Sequence, residues 1–564
     1  MLNKKDPNNI RIKKVYFFVF LIFAVLILRL AYIQIINHSK IDRIVSRMVS
    51  REGIVQAKRG DILDSTGRVL AASAHRYKLF INLRQVTDFQ AVKKVLAENG
   101  IFIEQKSPKD FNGAVYILIK QNLQEEIVRK IKDKKVDGIV FEDGYTRQYP
   151  EGAMVAHILG YVGSDDKGLS GIEFSFNDYL AGKDVRLKQT RDGKGNIISD
   201  KIIDRAEIGG EDVRLTIDMK IQFIVEQELK KAFLINKAKH AACIVQDPKT
   251  GEILAMVSLP DFLPTEKISD VALLRNYAIS DTFEPGSTFK IVAISAALNE
   301  KKIKSDDLFF LENGRLKIPG HPPINDDPNH KTLGNASVKT IMAYSSNIGL
   351  VKIAQKLEKR LFYEYIRKFG FYSLSAIDLP GESRGSLRDL REWDNVTILP
   401  YLSFGQGLSA TAIQIVGAFS VIANGGVLMR PVLIKSIGSK DYSELYGQRQ
   451  IRRVISPETA AEVRDMLKGV VDFGTGKSAK VPGYTVGGKT GTGQKYDSAL
   501  KRYSNQKYTA SFVGMIPAMD PKVVIFVMFD EPTGDYYAAS IAAPVFKRIA
   551  ERIAQYLNIP KDDI

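Results

Sequence analysis

The 564-residue chain has almost no cysteine; Cys243 is the only one. That excludes an internal disulfide and any multi-cysteine zinc site, although a cysteine-poor chain can still live in an oxidising space. After residue 36 no stretch is long and apolar enough to span a bilayer. Internal repeats are absent. Acidic residues are in deficit, 64 Asp and Glu against 81 Lys and Arg, for a net charge of +17. Such a balance fits nucleic acid, a membrane surface or an anionic polymer. No RNP, zinc-finger or basic-helix motif accompanies it, which disfavours nucleic acid.

What is present is a folding composition, 45% apolar and 26% charged. The length implies roughly two to four domains. The N-terminus carries Lys4, Lys5, Arg11, Lys13 and Lys14 against only Asp6. Val15 to Leu28 is then unbroken apolar, and Leu30 to Ile36 continues it past Arg29. Roughly 20 such residues span a bilayer. The basic flank stays cytoplasmic, so everything after about residue 40 lies outside. A cleaved signal peptide is the alternative, but no small-x-small cleavage site follows. Arg29 either snorkels or meets a partner helix.

Residues from about 40 to 230 mix short alternating runs (Tyr77 to Leu83), a charged helical stretch (Leu123 to Lys134) and Gly-rich turns (Gly160 to Gly171), with no evident chemistry. From Asp218 an amphipathic helix over Ile221 to Phe233 precedes a buried strand, Ala241 to Val245. A Pro248-Lys249-Thr250-Gly251 turn and a second strand, Glu252 to Ser258, come next. Glu300 to Gly334 reads as a polar loop. Its His321, Asp326, Asp327 and His330 invite a metal, but Pro322, Pro323 and Pro328 break any helix that could fix ligand spacing, which favours a solvated loop.

Ser-x-x-Lys occurs four times, at Ser164/Lys167, Ser287/Lys290, Ser498/Lys501 and Ser504/Lys507. Only Ser287 opens an apolar run, Phe289 to Leu298, as the first turn of a buried helix would. There it meets free backbone N–H groups and the positive helix end, with Lys290 one turn on along the same face. Burial lowers the lysine pKa, so the amine can take the serine proton. Ser287 read alone is as well explained as a helix cap. Ser-x-Asn occurs at Ser175/Asn177 and Ser345/Asn347, and Lys-Thr-Gly at Lys249 and at Lys489-Thr490-Gly491. The set Ser287, Ser345, Lys489 spreads over one large domain, whereas Ser164, Ser175 and Lys249 crowd into loops. Gly487, Gly488, Gly491 and Gly493 around Lys489 allow another backbone to approach, so a substrate peptide can add as a strand along that edge. Gly476-Lys477-Ser478 resembles the end of a P-loop, but Val471 occupies the position of its first glycine. The Arg59-Gly60-Asp61 adhesion tripeptide is too short to carry weight.

The ordered Ser-x-x-Lys, Ser-x-Asn and Lys-Thr-Gly resemble the penicillin-recognising serine enzymes. Phe283 to Lys290, Tyr344-Ser345-Ser346-Asn347 and Gly488 to Thr492 narrow the likeness to class B penicillin-binding proteins. Asp247 to Met256 and Phe404-Gly405-Gln406-Gly407 support it. Arg59 to Asp64, Arg147, Tyr149-Pro150, His157 and Gly171-Ile172-Glu173 look like the pedestal of the same family. Lys249 falls in a strand turn on this reading, not in the site. The chain is most similar to the division-specific FtsI or penicillin-binding protein 3 type, on Arg29 to Gln34, Thr282 to Gly286 and a short C-terminus; Asp64-Ser65-Thr66-Gly67 departs from the usual Asp-Arg-x-Gly.

The resemblance implies an α/β multidomain protein. It has a single N-terminal transmembrane helix, an elongated mixed α/β pedestal and a C-terminal penicillin-binding/transpeptidase domain with an antiparallel five-stranded sheet flanked by helices. The boundaries are a 1–14 cytoplasmic tail, a 15–36 transmembrane helix, a 37–230 pedestal/dimerisation module and a 231–564 transpeptidase domain. The implied activity is serine-type D-Ala-D-Ala transpeptidation of septal peptidoglycan, blocked covalently by β-lactams. Ser287 is the implied nucleophile and Lys290 its base. Ser345 is a relay hydrogen-bonded between Lys290 and Lys489, which further depresses Lys290; Asn347 holds the donor amide. Thr490, Gly491 and Thr492 bind substrate, the two threonines through its carboxylate, and the N–H groups of Ser287 and Thr492 form the oxyanion hole. No metal or cofactor is required. Implied partners are stem peptides, β-lactams, the cytoplasmic (inner) membrane, a SEDS-type glycan polymerase and other divisome proteins, with catalysis in the periplasm or extracytoplasmic space and no nucleic acid. Alternatives are an elongation-type transpeptidase, a D-Ala carboxypeptidase or β-lactamase, and a non-catalytic scaffold or penicillin sensor. A β-lactamase lacks its Glu-x-x-Leu-Asn element here, and a sensor is expected to have more membrane helices.

Overall fold

The N-terminal apolar run folds as the helix Pro7–Ala31 and continues through a π-helical turn, Tyr32–Ile36. The helix starts inside the basic flank, because Lys and Arg favour helix as well as the apolar residues do. Among the described residues, Arg11–Ile36 is the one helix long and apolar enough to cross a membrane, and its side chains are exposed. The computed structural model describes residues 7–38, 50–105, 107–111, 113–191, 197–199, 208–319, 321–327, 334–497 and 502–562. The chain divides into two contact units, Met1–Lys58 with Lys183–Gly209, and Arg59–Gly182 with Gly210–Ile564. In the first, the strand Ser50–Val55 pairs antiparallel with Val185–Arg191, which pairs with Ile197–Ser199.

In the second unit the long strand Val69–Asn82 pairs with Tyr116–Leu123, Ile139–Gln148 and Ile62–Leu63. Its alternating Leu79 and Ile81 bury against Val92, Leu96, Val128 and Ile131. The charged stretch expected from Leu123 to Lys134 is the helix Glu125–Lys132. The sheet does not stop at the end of the pedestal. Ile62–Leu63 runs parallel to Val213–Leu215, which pairs with Ile434–Ile437 from deep in the C-terminal sequence. Two arginines meet one carboxylate in the interior of this region. Arg59 Nε donates to Glu173 Oε2 at 2.6 Å, and Arg147 Nε to Glu173 Oε1 at 2.6 Å. Arg59 also reaches Asn177 Oδ1 and the carbonyls of Asp166 and Glu173, and Arg147 the Gly60 carbonyl. Buried charges need such pairing, and only Arg147 Nη2 in this cluster is left without a partner.

The helix Met219–Ile235 begins at Asp218, whose carboxylate accepts from the N–H groups of Lys220 and Ile221, and it runs across residues 230 and 231. It packs on a five-stranded antiparallel sheet in the order 253–259, 240–246, 523–530, 502–516, 487–497. Successive residues alternate between the two faces. Ala241, Cys243 and Val245 join Ile525, Val527 and Phe529 beneath the helices Met219–Ile235 and Ala538–Tyr556. Ala242, Ile244, Phe526 and Met528 face the opposite core, with the helices Lys290–Asn299, Ala412–Ala423 and Pro457–Asp472. The only cysteine, Cys243, is fully buried on the first of these faces, and burial pushes its thiol pKa up, which leaves it inert.

Glu300 to Gly334 departs from the loop expected of it. Leu308–Phe310, Arg315–Ile318 and His321–Asn325 are strands, the last two forming a hairpin. Pro322 and Pro323 are compatible with that, since a two-stranded ribbon is all edge.

Glu173→Gln should destabilise the second unit strongly, because it strands two buried guanidinium groups. Loss of one partner of such a cluster costs about 3–5 kcal/mol. The same change at Glu125, whose partner Arg129 is exposed on a helix surface, should leave the thermal midpoint almost unmoved.

Candidate active site

Ser287 sits in a 3-10 turn, Gly286–Phe289, that leads into the helix Lys290–Asn299. The helix is apolar on all sides and buried from Lys290 to Leu298, which fixes the turn rigidly at its mouth. Gly286 has φ +53° and lies against the edge strand; a Cβ there would come 3.4 Å from the Thr492 carbonyl. The turn Phe404 to Gly407 abuts it from the other side. A Cβ on Gly405 would sit 2.2 Å from the Gly286 carbonyl. Glu284 ties these pieces together, its Oε1 accepting from Gly407 N–H at 3.0 Å and from Tyr503 OH at 2.9 Å. Burial holds its carboxyl above the usual range.

Lys290 is completely buried. Its Nζ donates to the Ser345 carbonyl, to Ser345 Oγ at 3.1 Å and to Asn347 Oδ1 at 2.8 Å. Ser345 Oγ lies 3.0 Å from Ser287 Oγ. Ser345 thus stands between Lys290 and Ser287, not between Lys290 and Lys489 as the sequence reading has it. Desolvation brings the Lys290 pKa down to about 7, opposed by the negative charge of Asp326. Lys489 is also fully buried, and desolvation together with the charge on Lys290 holds its pKa well below the usual lysine range. Burial is the largest cause at both lysines, and their mutual repulsion disfavours the state in which both are charged. Lys489 Nζ lies 3.3 Å from the Thr490 carbonyl and 3.4 Å from Thr490 Oγ1.

Lys489, Thr490, Gly491 and Thr492 lie on the strand Gly487–Asp497, which is the edge of the five-stranded sheet. Its glycines serve the protein's own nucleophile segment. A Cβ on Gly491 would approach Thr288 Cγ2 to 2.8 Å and the Pro285 carbonyl to 3.1 Å, and one on Gly493 the Glu284 carbonyl to 2.7 Å. One side of this strand is paired with residues 502–516, and among the described residues no strand pairs with the other, as addition of an extended peptide requires.

Asp326, which the sequence reading assigns to a solvated loop, is part of this site. Its carboxylate accepts from Ser346 Oγ at 2.7 Å, from Asn347 N–H at 2.7 Å and from Ile348 N–H at 3.1 Å. It thereby caps the helix Asn347–Lys356 and holds Ser345, whose φ of +60° is unusual for a non-glycine residue. Asn347 Nδ2 reaches back to the Asn325 carbonyl at 3.0 Å. No sequence signal separates such an aspartate from its neighbours in a polar stretch.

The remaining sequence matches lie elsewhere. Asn177 belongs to the Arg59 cluster, and Lys249 pairs with Asp520 on the surface. Lys167 pairs with Asp165, and Ser504 Oγ accepts from the Lys507 N–H within the strand Arg502–Ile516. His321 is exposed on its strand, and His330, Ser498 and Lys501 lie outside the described residues.

Asp326→Ala should loosen the start of the helix Asn347–Lys356 without unfolding the domain. Amide exchange at Asn347 and Ile348 should accelerate about tenfold or more, in line with about 1–2 kcal/mol for a lost cap. Unchanged protection would mean that Asp326 does not hold this turn.

Residues 241–551 match the penicillin-binding protein transpeptidase domain and residues 54–215 the penicillin-binding protein dimerisation domain. The chain is 33% identical over 558 residues to stage V sporulation protein D of Bacillus subtilis, covering 96% of this chain and 85% of that one. It is 32% identical over 563 residues to the peptidoglycan D,D-transpeptidase FtsI of Buchnera aphidicola, covering 97% and 95%. Among solved structures it resembles penicillin-binding protein 3 of Mycobacterium tuberculosis in complex with aztreonam, with a TM-score of 0.69, 29% identity and coverage of 90% and 98%. A membrane-length apolar helix, a dimerisation domain and a transpeptidase domain whose three motifs converge on one serine make this chain a member of the penicillin-binding protein transpeptidase family.

Proposed function

We propose that the protein cross-links septal peptidoglycan, transferring the acyl group of a stem peptide ending in D-Ala-D-Ala to the amine of a neighbouring stem peptide through an ester on Ser287. The observation that carries this reading is the path Ser287–Ser345–Lys290, ending on a lysine whose pKa of about 7 lets it be neutral. As Ser287 Oγ attacks the penultimate carbonyl, its proton moves through Ser345 Oγ to Lys290 Nζ. The N–H groups of Ser287 and Thr492 stabilise the oxyanion. Collapse breaks the amide bond, and the proton returns along the same path to the departing D-Ala amine. The acceptor amine then attacks the ester, gives up its proton by that path in reverse, and Ser287 recovers its hydroxyl. Thr490 and Thr492 bind the terminal carboxylate beside Lys489, Gly491 lets the strand approach, and Asn347 orients the donor amide.

β-Lactams present a strained amide beside a carboxylate and acylate the same serine. The anchor, at residues 15–36, sits in the cytoplasmic (inner) membrane with the catalytic domain, 231–564, in the extracytoplasmic space. The basic flank and the apolar length of the helix support this placement. The 37–230 module serves as a pedestal, and with the anchor it docks a SEDS-type glycan polymerase and other division proteins. The 33% identity to a sporulation protein makes the time and place of action the point to test.

Ser287→Ala should abolish covalent labelling by a fluorescent penicillin, and Lys290→Ala should slow it by orders of magnitude; persistent labelling of either would sink its assignment. The acylation rate should rise with pH through about 7, because Lys290 must lose its proton first. Asp326→Asn removes a charge that favours protonated Lys290, so the midpoint should move to lower pH. Depletion should give filaments without septa under the microscope, whereas rounded cells would indicate elongation.

A further inference from the structure

The helix Pro457–Asp472 ends in Phe473-Gly474-Thr475-Gly476, just before the failed P-loop likeness. This segment is wedged between two of the three motifs. Gly474 has no room for a side chain, since a Cβ would lie 2.2 Å from the Ala343 carbonyl. Thr475 N–H donates to that same carbonyl at 3.1 Å, two residues before Ser345. Gly474 N–H and Gly476 N–H are held by the carbonyls of Gly469 and Val470. On its other side Thr475 Oγ1 lies 3.1 Å from Thr490 Oγ1 on the edge strand. The backbone thus fixes Thr475 to one catalytic motif and its hydroxyl to the next.

A threonine hydroxyl has one proton to give and two lone pairs to fill. At Thr490, Lys489 Nζ approaches one lone pair at 3.4 Å. We propose that Thr475 is a positioning residue of the reaction: its hydroxyl donates into the second lone pair of Thr490 Oγ1 and commits the Thr490 proton to the carboxylate of the acyl donor. With both lone pairs taken, Thr490 has nothing left to do but donate, which suits an anion and no neutral group. Without Thr475 the Thr490 hydroxyl is free to rotate and to offer a lone pair, which repels a carboxylate. The inference rests on the acyl-transfer reading above and assigns to it a residue outside the three motifs. Because the Gly474 and Thr475 backbones are clamped, the hydroxyl enters the cleft already oriented, and little entropy is lost when the substrate arrives.

The test uses the full chain in detergent, with benzylpenicillin and its methyl ester, which lacks the carboxylate charge. Thr475→Val keeps the shape and removes the hydroxyl. Acylation by the free acid should fall about tenfold in second-order rate constant, as for a lost hydrogen bond to a charged group. The loss should lie in the dissociation constant of the first complex and not in the limiting acylation rate, and the ester should react as with the unaltered protein. Thr475→Ser should restore the acid to within about threefold. Equal losses for acid and ester, or an unchanged rate with the acid, would overturn the proposal. So would a Thr475→Ser variant as slow as Thr475→Val, since that would point to packing by the methyl group. If the unaltered protein is not labelled at Ser287 at all, the acyl-transfer reading fails first, and this proposal with it.

Discussion

A lysine side chain with no access to water must find acceptors for its N–H groups inside the protein or leave the fold destabilised. Lys290 finds three, and all come from the segment Ser345 to Asn347. That requirement organises the site. It draws the second motif over the first, keeps Ser345 in a left-handed conformation that would otherwise be unfavourable, and makes Asp326 necessary at the start of the next helix. The burial that creates the requirement also lowers the pKa of the amine to about 7. The stability problem and the catalytic property have one cause.

The same site imposes a second constraint, on distance. The Thr492 N–H, one of the two proposed oxyanion donors, and the hydroxyls proposed to bind the carboxylate belong to an edge strand, whereas Ser287 belongs to the turn that opens a helix packed on the face of that sheet. Bringing the two within reach leaves no space for side chains between them. Gly405, Gly491 and Gly493 are where backbone meets backbone or side chain closely enough that a Cβ would intrude, and Gly286 adds a positive φ. The glycines read from sequence as room for a substrate strand are in good part room for the protein's own nucleophile turn.

The three motifs, the buried helix behind Ser287, the anchor and the alternation of the central strands were legible because each is a local pattern with a physical meaning. Spacing places Lys290 on the face of Ser287, and an apolar run marks what is buried. What was not legible depends on pairings between distant segments. Asp326 and Thr475 act through hydrogen bonds to residues about 20 and 15 positions away, and nothing in their own surroundings announces those partners. The position of Ser345, between Lys290 and Ser287, is set by how the Asn347 helix is capped and not by any spacing. The sheet that carries the pedestal strands into the C-terminal region joins Val213–Leu215 to Ile434–Ile437, a pairing no local pattern reveals.

The open side of the strand Gly487–Asp497 has a cost for the lifetime of the molecule. Unpaired strand edges recruit any extended chain, and proteins ordinarily blunt them with charge, proline or bulges. On the proposed reading the stretch Gly491 to Gly493 stays bare to admit a peptide, and the register irregularity of this strand, with charges beside it, comes later, at Gln494 to Asp497. Its glycines supply a different safeguard. They weaken strand pairing and offer no side chains for a second sheet to grip. On that reading, a peptide held by main-chain hydrogen bonds and its carboxylate stays long enough to react and then leaves. A second copy of the same edge, lacking the carboxylate, gains too little to remain.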